Sequence, residues 1–322
     1  MLFPPFVTQN ISCELCPRAC HADRTGLNKG ICGNDYRIRV GRVMLHEWEE
    51  PCLSYGAGAG AIFFGGCPLG CVYCQNMPLS QFGAGVYRTV EDLTEQMLLL
   101  QKQGAVCIDL VSATPFVIEV VRAVQSAKRE GLHLPIVWNT GGYENLSTLA
   151  MLEGTVDVYL PDLKTLSVGR AKRYLHAADY PTVAKAAISE MVRQTGSPQF
   201  NESGGLVRGT LVRHLVLPHG MRDTMRVLSH LASYGNDIIV SLMSQYTPPE
   251  LLLRDEFPEL AEPLTAYDYR SACRYAEQLG IEHLYTQDHS SADRAYIPEW
   301  EYPPSPFDLL LQLTEETEKD GE

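Results

Sequence analysis

The sequence predicts an α/β protein that folds as a partial, TIM-like barrel of about six β/α units. Short apolar runs alternate along the chain with amphipathic stretches that are long enough for helices. Several runs are apolar almost throughout, which is typical of parallel strands covered on both faces. Repeated right-handed crossovers close, or nearly close, such a sheet into a barrel whose ligand site lies at the carboxyl ends of the strands.

The predicted elements follow one another in a regular order. Strands are predicted at residues 60–65, 105–111, 134–138, 156–160, 210–217, 237–243 and, more weakly, 283–286. Helices are predicted at residues 89–103, 116–130, 144–153, 181–196, 222–234 and 266–279. Thr89 followed by Asp92 is typical of a capping box that begins the first helix, and Gly104 follows the last turn of that helix.

A change in composition predicts the domain organisation. Residues 1–52 are rich in cysteine and poor in periodic structure, so we predict a metal-binding extension there. Residues 53–290 carry the barrel pattern. Residues 291–322 are predicted to be a tail with one short amphipathic helix in SPFDLLLQLTEETEKD.

Charge and hydropathy exclude several classes of function. The chain of 322 residues has a formal net charge of −13 and no block of lysine and arginine, which argues against nucleic acid as a partner. It has no apolar run of about 18 residues and no secretory signal pattern, so we expect a cytoplasmic protein that does not enter a membrane. In the cytosol, the ten cysteines indicate metal binding rather than disulfides.

The stretch CPLGCVYCQN places Cys67, Cys71 and Cys74 in a compact loop directly after the first predicted barrel strand. Cysteine thiolates hold iron–sulfur clusters, and three of them leave one iron of a 4Fe–4S cluster with open coordination. An open iron can bind a substrate or cofactor. The alternative interpretation is a structural zinc loop or three buried thiols.

With Tyr73 before its last cysteine, this loop resembles the CxxxCxxC signature of radical S-adenosylmethionine (SAM) enzymes. The resemblance implies a radical SAM type of partial (β/α)6 barrel. It also implies that S-adenosyl-L-methionine chelates the open iron, and that reductive cleavage releases a 5′-deoxyadenosyl radical that abstracts hydrogen from a substrate. The three cysteines would then be the catalytic metal ligands.

Downstream motifs resemble the activating enzymes of glycyl radical enzymes, such as the pyruvate formate-lyase activating enzyme. YLPDLKT supplies Asp162 and Lys164 in the position of that family's Asp-x-Lys motif, which by resemblance lies beside the cofactor and the substrate backbone. Arg213 resembles the arginine of the family's fifth strand, which is placed to meet the carboxylate of the cofactor. WNTGGYE is similar to a Thr-Asn-Gly turn, so the resemblance implies that Asn139 and Thr140 face the ribose or the substrate, although a plain strand-to-helix turn explains this stretch too. Because successive strand residues alternate faces, His214 is expected to face away from the barrel.

The sequence departs from that family at two places. The usual Gly-Gly-Glu motif is replaced by Ser112-Ala113-Thr114-Pro115, so Ser112, Thr114 and backbone groups are expected to receive the methionine amine of the cofactor. The family's histidine after the sixth strand is absent, and Gln245 or Tyr246 of SQYTP is expected to take its place.

The family also suggests partners. The chain has no flavin or nicotinamide fingerprint, so a reduced flavodoxin or ferredoxin is implied as the electron donor. The implied substrate is a protein or peptide, with hydrogen abstraction at a backbone glycine. Radical modification of another peptide or a small molecule is the first alternative, and a non-catalytic metal-binding scaffold is the second.

Cys13, Cys16, Cys20 and Cys32 supply four further thiols within about twenty residues. Four ligands close the coordination of zinc or of an auxiliary iron–sulfur cluster, and either metal would stabilise a segment too short to build its own core. Composition does not choose between them. The remaining alternatives are free thiols or a ligand set that includes Cys52.

Overall fold

The computed structural model describes residues 12–26, 28–248, 253–287 and 300, and a mostly parallel sheet forms its centre. The strands are β1 Ile38–His46, β2 Ala59–Phe64, β3 Val86–Arg88, β4 Ile108–Val111, β5 Ile136–Thr140, β6 Val158–Pro161, β7 Gln199–Phe200, β8 Leu206–Leu215, β9 Ile239–Met243 and β10 Leu284–Thr286. Their order across the sheet is β10-β9-β8-β6-β5-β4-β2-β1-β3, and β7 pairs with β8 outside this path. The neighbours from β2 to β10 are parallel.

Within the described residues the two edge strands, β3 and β10, do not pair with each other. The sheet is therefore an open, partial barrel, which confirms the predicted α/β fold class. Each strand predicted from the sequence is present, although β4 is shorter than its apolar run and β8 begins earlier.

Helices follow the barrel strands as the periodicity predicts. They are α1 Pro51–Ser54, α2 Met77–Ser80, α3 Val90–Lys102, α4 Val117–Arg129, α5 Leu146–Leu152, α6 Val168–Leu175, α7 Tyr180–Thr195, α8 Met221–Ala232, α9 Leu253–Glu256 and α10 Ala266–Gln278. The predicted capping box of α3 is present, because Thr89 Oγ1 accepts from the Asp92 amide while the Asp92 carboxylate accepts from the Thr89 amide. No described helix has the length and hydropathy needed to cross a lipid bilayer.

β1 is a strand that the sequence pattern does not predict. Arg39, Gly41 and Arg42 interrupt its apolar alternation, yet it pairs antiparallel with β2 from Val40 opposite Phe64 to His46 opposite Ala59. It lies within residues 1–52, so sheet pairing begins inside the segment assigned to the cysteine-rich extension. The domain boundaries stay a prediction, and the helix predicted at the carboxyl terminus lies outside the described residues.

The interior of the barrel is layered. Its base is filled by buried apolar side chains from α1 and from the amino-terminal halves of the strands, namely Cys52, Leu53, Ala59, Cys107, Val137, Val158, Leu160, Leu206, Leu211 and Ile239. Helices bury separate apolar clusters against the outer face of the sheet. Polar groups inside the barrel therefore lie above the apolar base, towards the carboxyl ends of the strands.

Candidate functional site

The loop after β2 carries the three cysteines to the carboxyl edge of the sheet. Gly66 adopts φ +79°, and a Cβ there would lie 2.3 Å from both the Cys32 carbonyl oxygen and Asn34 Nδ2. Only glycine fits such a close approach. The loop therefore contacts the amino-terminal segment at Gly66, the residue before its first cysteine, Cys67.

The thiols of Cys67, Cys71 and Cys74 are close enough to affect one another electrostatically. Burial raises the pKa of Cys67 to about 11, and burial also raises that of Cys71 despite the opposing effect of Lys164. Iron binds the thiolate form, so loading of a cluster here would release protons. Three neighbouring thiols on one loop would supply one ligand each to three different irons of a cluster.

A cavity of about 620 Å³ lies inside the barrel beside this loop. Most of the residues predicted to bind the cofactor line it together, and these are Cys71, Tyr73, Cys74, Asn139, Asp162, Lys164, Arg213 and Gln245. They come from the loop after β2 and from β5, β6, β8 and β9, or from the residues just after those strands. The topology therefore brings residues far apart in sequence to one polar chamber.

Cys67, Ser112 and Thr114 line a second, smaller cavity with Thr140 instead. Ser112 adopts φ +61° directly after β4, a conformation that is uncommon for a residue other than glycine. The Thr114 hydroxyl donates to Glu144 Oε1 at 2.6 Å. The structure thus separates these three residues from the large chamber, and the predicted cofactor role of Ser112 and Thr114 stays a prediction.

Asp162 is held between two cations. Lys164 Nζ lies 2.6 Å from Asp162 Oδ2, and Arg213 Nε lies 3.0 Å from Asp162 Oδ1. Burial alone would raise the pKa of Asp162, but the two cations lower it below its usual value. This carboxylate therefore stays ionised and fixes both side chains at the wall of the chamber.

Arg213 also donates to Asn139 Oδ1 at 2.6 Å and to Glu49 Oε1 at 3.3 Å. It points into the barrel as the alternation of β8 predicts. His214 points the other way, where its Nδ1 lies 2.7 Å from the Leu163 carbonyl oxygen and its Nε2 lies 3.0 Å from Thr224 Oγ1. His214 is a buried packing residue under α8.

Gln245 lies at the chamber rim, where its carbonyl oxygen accepts from Gln75 Nε2 at 2.8 Å. This bond joins the loop after the third cysteine to the end of β9. Tyr246, the predicted alternative, is buried, and its hydroxyl donates to the Leu260 carbonyl oxygen. Its ring also packs edge-on against Tyr73, so Tyr246 supports the three-cysteine loop by packing.

The sequence pattern misses an acidic layer in the chamber. Asn139 Nδ2 donates to Glu49 Oε2 at 3.3 Å and to Asp109 Oδ2 at 3.2 Å. Burial and the neighbouring Glu49 raise the pKa of Asp109 well above its usual value. Burial and Glu49 likewise raise the pKa of Glu50 to about 7. The segment EWEEP looks like a solvated turn in sequence, and only its position at the end of β1 reveals its role.

The amino-terminal cysteines lie against the loops of the site. Arg18, between Cys16 and Cys20, donates to the Pro68 carbonyl oxygen at 2.7 Å and to that of Leu69 at 3.2 Å. Arg24 is buried, and it donates to the Pro115 carbonyl oxygen at 2.9 Å and to Cys13 Sγ at 3.7 Å. The segment is thus bound both to the three-cysteine loop and to the turn after β4.

The four amino-terminal thiols are neighbours of one another. Burial raises the pKa of Cys16 to about 12, with smaller contributions from Cys32 and Cys13, and Cys20 and Cys32 both flank Gly30. Among the described residues, no group of three or more His, Cys, Asp and Glu side chains is arranged to hold a single metal ion, either in this segment or at the three-cysteine loop. The metal of this segment stays a prediction.

Comparison with known proteins identifies the core of the chain. Residues 61–194 match the sequence model of the Radical SAM superfamily. The match is to a radical SAM domain. The match begins within β2 and includes the three-cysteine loop, Asn139, Asp162 and Lys164.

Two further similarities are weaker. An uncharacterized protein of Methanocaldococcus jannaschii is 23% identical over 297 residues, which cover 87% of this chain and 79% of the relative. The crystal structure of methylornithine synthase (PylB) superposes with a TM-score of 0.44 at 16% identity and covers 68% of each chain.

Radical SAM domains normally use a 4Fe–4S cluster and S-adenosylmethionine, and they cleave the latter to start radical chemistry. The residues present fit that requirement, since Cys71 and Cys74 border a chamber with charged and amide side chains on its walls, and Cys67 is their neighbour on the same loop. The match to the Radical SAM superfamily therefore indicates that the protein is an enzyme.

Proposed function

We propose that this protein reductively cleaves S-adenosylmethionine at a 4Fe–4S cluster held by Cys67, Cys71 and Cys74. The cluster and cofactor together would supply a 5′-deoxyadenosyl radical, which abstracts a hydrogen atom from the substrate. The observation that carries the proposal is that Cys71 and Cys74 border the 620 Å³ chamber beside the charged pair of Asp162 and Lys164.

The chain's own side chains divide the remaining tasks. Lys164 and Arg213 present cations to the chamber, and carboxylates of a bound ligand pair well with such groups. Asn139 and Gln245 present amide groups, which both donate and accept hydrogen bonds. Tyr73 is buried between the rings of Tyr174 and Tyr246, so it positions the loop by packing.

The decisive test uses anaerobically reconstituted protein with S-adenosylmethionine and a chemical reductant. We expect about four irons per chain at this loop and formation of 5′-deoxyadenosine. Cys71→Ser should abolish both, whereas the matched control Cys273→Ser, on α10, should retain both. A wild-type protein that binds iron but forms no 5′-deoxyadenosine would overturn the proposal.

For the substrate, we propose an activity like that of glycyl radical activating enzymes, supported by the motif positions of Asp162, Lys164 and Arg213. Electrons would come from a reduced flavodoxin or ferredoxin, under anaerobic conditions. Electron spin resonance of candidate partner proteins after turnover tests this, because a glycyl radical gives a persistent signal on the partner. Deuterium transfer from a labelled small molecule into 5′-deoxyadenosine would favour the alternative of a small-molecule substrate.

A further inference from the structure

The lining of the chamber is acidic. Residues 47–50, which connect β1 to α1, supply three glutamates to it, and Asp162 adds a fourth carboxylate. Among the described residues of the lining, the permanently cationic side chains are Lys164 and Arg213. Carboxylates therefore outnumber these cations inside a space that is partly removed from water.

Both cations are already paired by carboxylates. Lys164 pairs with Asp162, and Arg213 pairs with Asp162 and Glu49. Glu50 is left over, since no ion pair joins it to any lysine, arginine or histidine within the described ranges. Its residue exposure is only 7%, and an unpaired buried carboxylate is costly.

Next to Glu50 lies a buried hydroxyl group. Ser241 is 1% exposed and lines the chamber from β9, and its hydroxyl lies close enough to Glu50 to lower the pKa of that carboxyl. It is in register with Arg213 on one side and Tyr285 on the other, so it faces the chamber interior. A carboxylate and a hydroxyl can both accept hydrogen bonds from the N–H groups of one ammonium or guanidinium.

Aromatic side chains also line the chamber. These are Trp48 and Phe63, and the face of an aromatic ring attracts a cation. A charged nitrogen bound here would contact a carboxylate, a hydroxyl and apolar ring surface, which is a common set of partners for an organic cation.

We propose that the substrate of this enzyme carries a positively charged nitrogen, an ammonium or guanidinium group, which Glu50 and Ser241 bind at the wall of the chamber. This inference rests on the proposed radical chemistry in one respect, namely that the bound cation is the molecule that the enzyme transforms. The binding site itself depends on Glu50, Ser241 and their surroundings.

The test is binding of matched probes to the reconstituted protein, measured by saturation-transfer NMR and calorimetry. The probes are n-butylamine, n-butanol and butyrate, with N-acetyl-lysine amide to represent a peptide side chain. We expect the amine to bind at least tenfold more tightly than the alcohol, and butyrate to bind more weakly still. If N-acetyl-lysine amide binds as well as butylamine, the source of the cation is a peptide; if only butylamine binds, it is a small molecule.

Two variants and one control assign the site. Glu50→Gln should weaken amine binding at least tenfold, and Ser241→Ala should weaken it severalfold, without changing alcohol binding. Glu202→Gln removes the same charge from an exposed turn and should leave amine binding unchanged. Equal binding of amine and alcohol, or equal effects of Glu50→Gln and Glu202→Gln, would overturn the proposal.

S-adenosylmethionine carries an ammonium group itself, so its own affinity is measured in the same variants. If Glu50→Gln weakens S-adenosylmethionine as much as butylamine, Glu50 serves the cofactor and the proposal is wrong. Formation of 5′-deoxyadenosine is assayed separately in the same wild-type preparation. Its absence would count against the proposed radical chemistry, while selective amine binding would still stand.

Discussion

At the scale of single residues, the barrel interior contains ionisable groups whose pKa values are shifted by burial. Glu50 has the clearest shift, because burial and the nearby Glu49 raise its pKa to about 7 while Arg213 opposes the change. The Glu50 carboxyl of the folded protein is therefore neutral over part of the pH range in which the same carboxyl is ionised in the unfolded chain. Such a difference makes the stability of the protein depend on pH.

Glu50→Gln is expected to remove this pH dependence. Between about pH 4.5 and pH 7 the unfolded wild-type glutamate ionises while the folded one stays protonated, so the free energy of unfolding falls as pH rises. At about 1.4 kcal/mol per pKa unit, the loss is on the order of 3 kcal/mol. The variant should lack it, as denaturant unfolding from pH 4 to pH 8 would show.

Glu202→Gln is the control for that experiment, since its side chain is exposed on a turn. Its unfolding curve should run parallel to that of the wild type at each pH. Parallel curves for Glu50→Gln as well would show that Glu50 has an ordinary pKa.

Gly142 is a second residue with a specific demand. It adopts φ +76°, and a Cβ there would lie 2.3 Å from the Asp162 carbonyl oxygen. Gly154 has a similar φ of +79° but open space around it. Gly154→Ala should therefore cost about 1 kcal/mol for the backbone alone, and Gly142→Ala should cost about 1–3 kcal/mol more for the clash.

Denaturant midpoints compare the two alanine variants directly. Because the clash also displaces the backbone of Asp162, Gly142→Ala should reduce formation of 5′-deoxyadenosine, whereas Gly154→Ala should not. Equal stability of the two variants would mean that the turn moves freely away from Asp162.

At the scale of elements, the amino-terminal segment supports the loop that carries Cys67, Cys71 and Cys74. Arg18 donates to the carbonyl oxygens of Leu175 and His176 as well as to those of Pro68 and Leu69. One side chain thus ties the three-cysteine loop to the end of α6. Asn34 adds a bond from its Nδ2 to the Gly65 carbonyl oxygen at 2.8 Å.

Arg18→Gln is expected to lower the iron content of the reconstituted protein, because the loop loses bonds that hold its backbone in place. Each lost hydrogen bond should also cost about 1 kcal/mol of stability. Arg208→Gln is the matched control, since Arg208 donates to the Thr195 and Gln194 carbonyl oxygens far from the loop. Similar losses of iron in both variants would show that general destabilisation is responsible.

At the scale of the whole molecule, the cysteines fall into separate groups. Cys52 belongs to the apolar base of the barrel, while Cys13, Cys16 and Cys32 affect one another electrostatically beside the three-cysteine loop. This separation does not favour a ligand set that recruits Cys52. The choice between zinc and an auxiliary cluster is one for metal analysis.

Cys16→Ser is expected to lower the metal content of the amino-terminal segment, because it removes one of the four thiolate ligands. Cys52→Ala should keep the full metal content and only lose some packing in the base. Zinc and iron per chain, measured together in both variants, check this. Loss of the same metal from Cys52→Ala would restore the alternative ligand set.

Much of the fold follows from local patterns. The apolar runs at β2, β5 and β9 bury both faces, so their composition alone indicates parallel strands. The sequence pattern does not predict β1 in the same way. Two arginines break its apolar alternation, and its pairing with β2 depends on contacts between distant segments.

The sequence by itself determined the barrel, the three-cysteine loop and the positions of Asp162, Lys164 and Arg213, because each depends on a short pattern of residue types. The tertiary structure alone decided that Glu49 and Glu50 enter the chamber, that Ser112 and Thr114 lie beside a different cavity, and that Ser241 lies next to Glu50. The physical reason is that burial and pairing of polar groups are set by side chains from other strands. No local stretch of sequence contains that information.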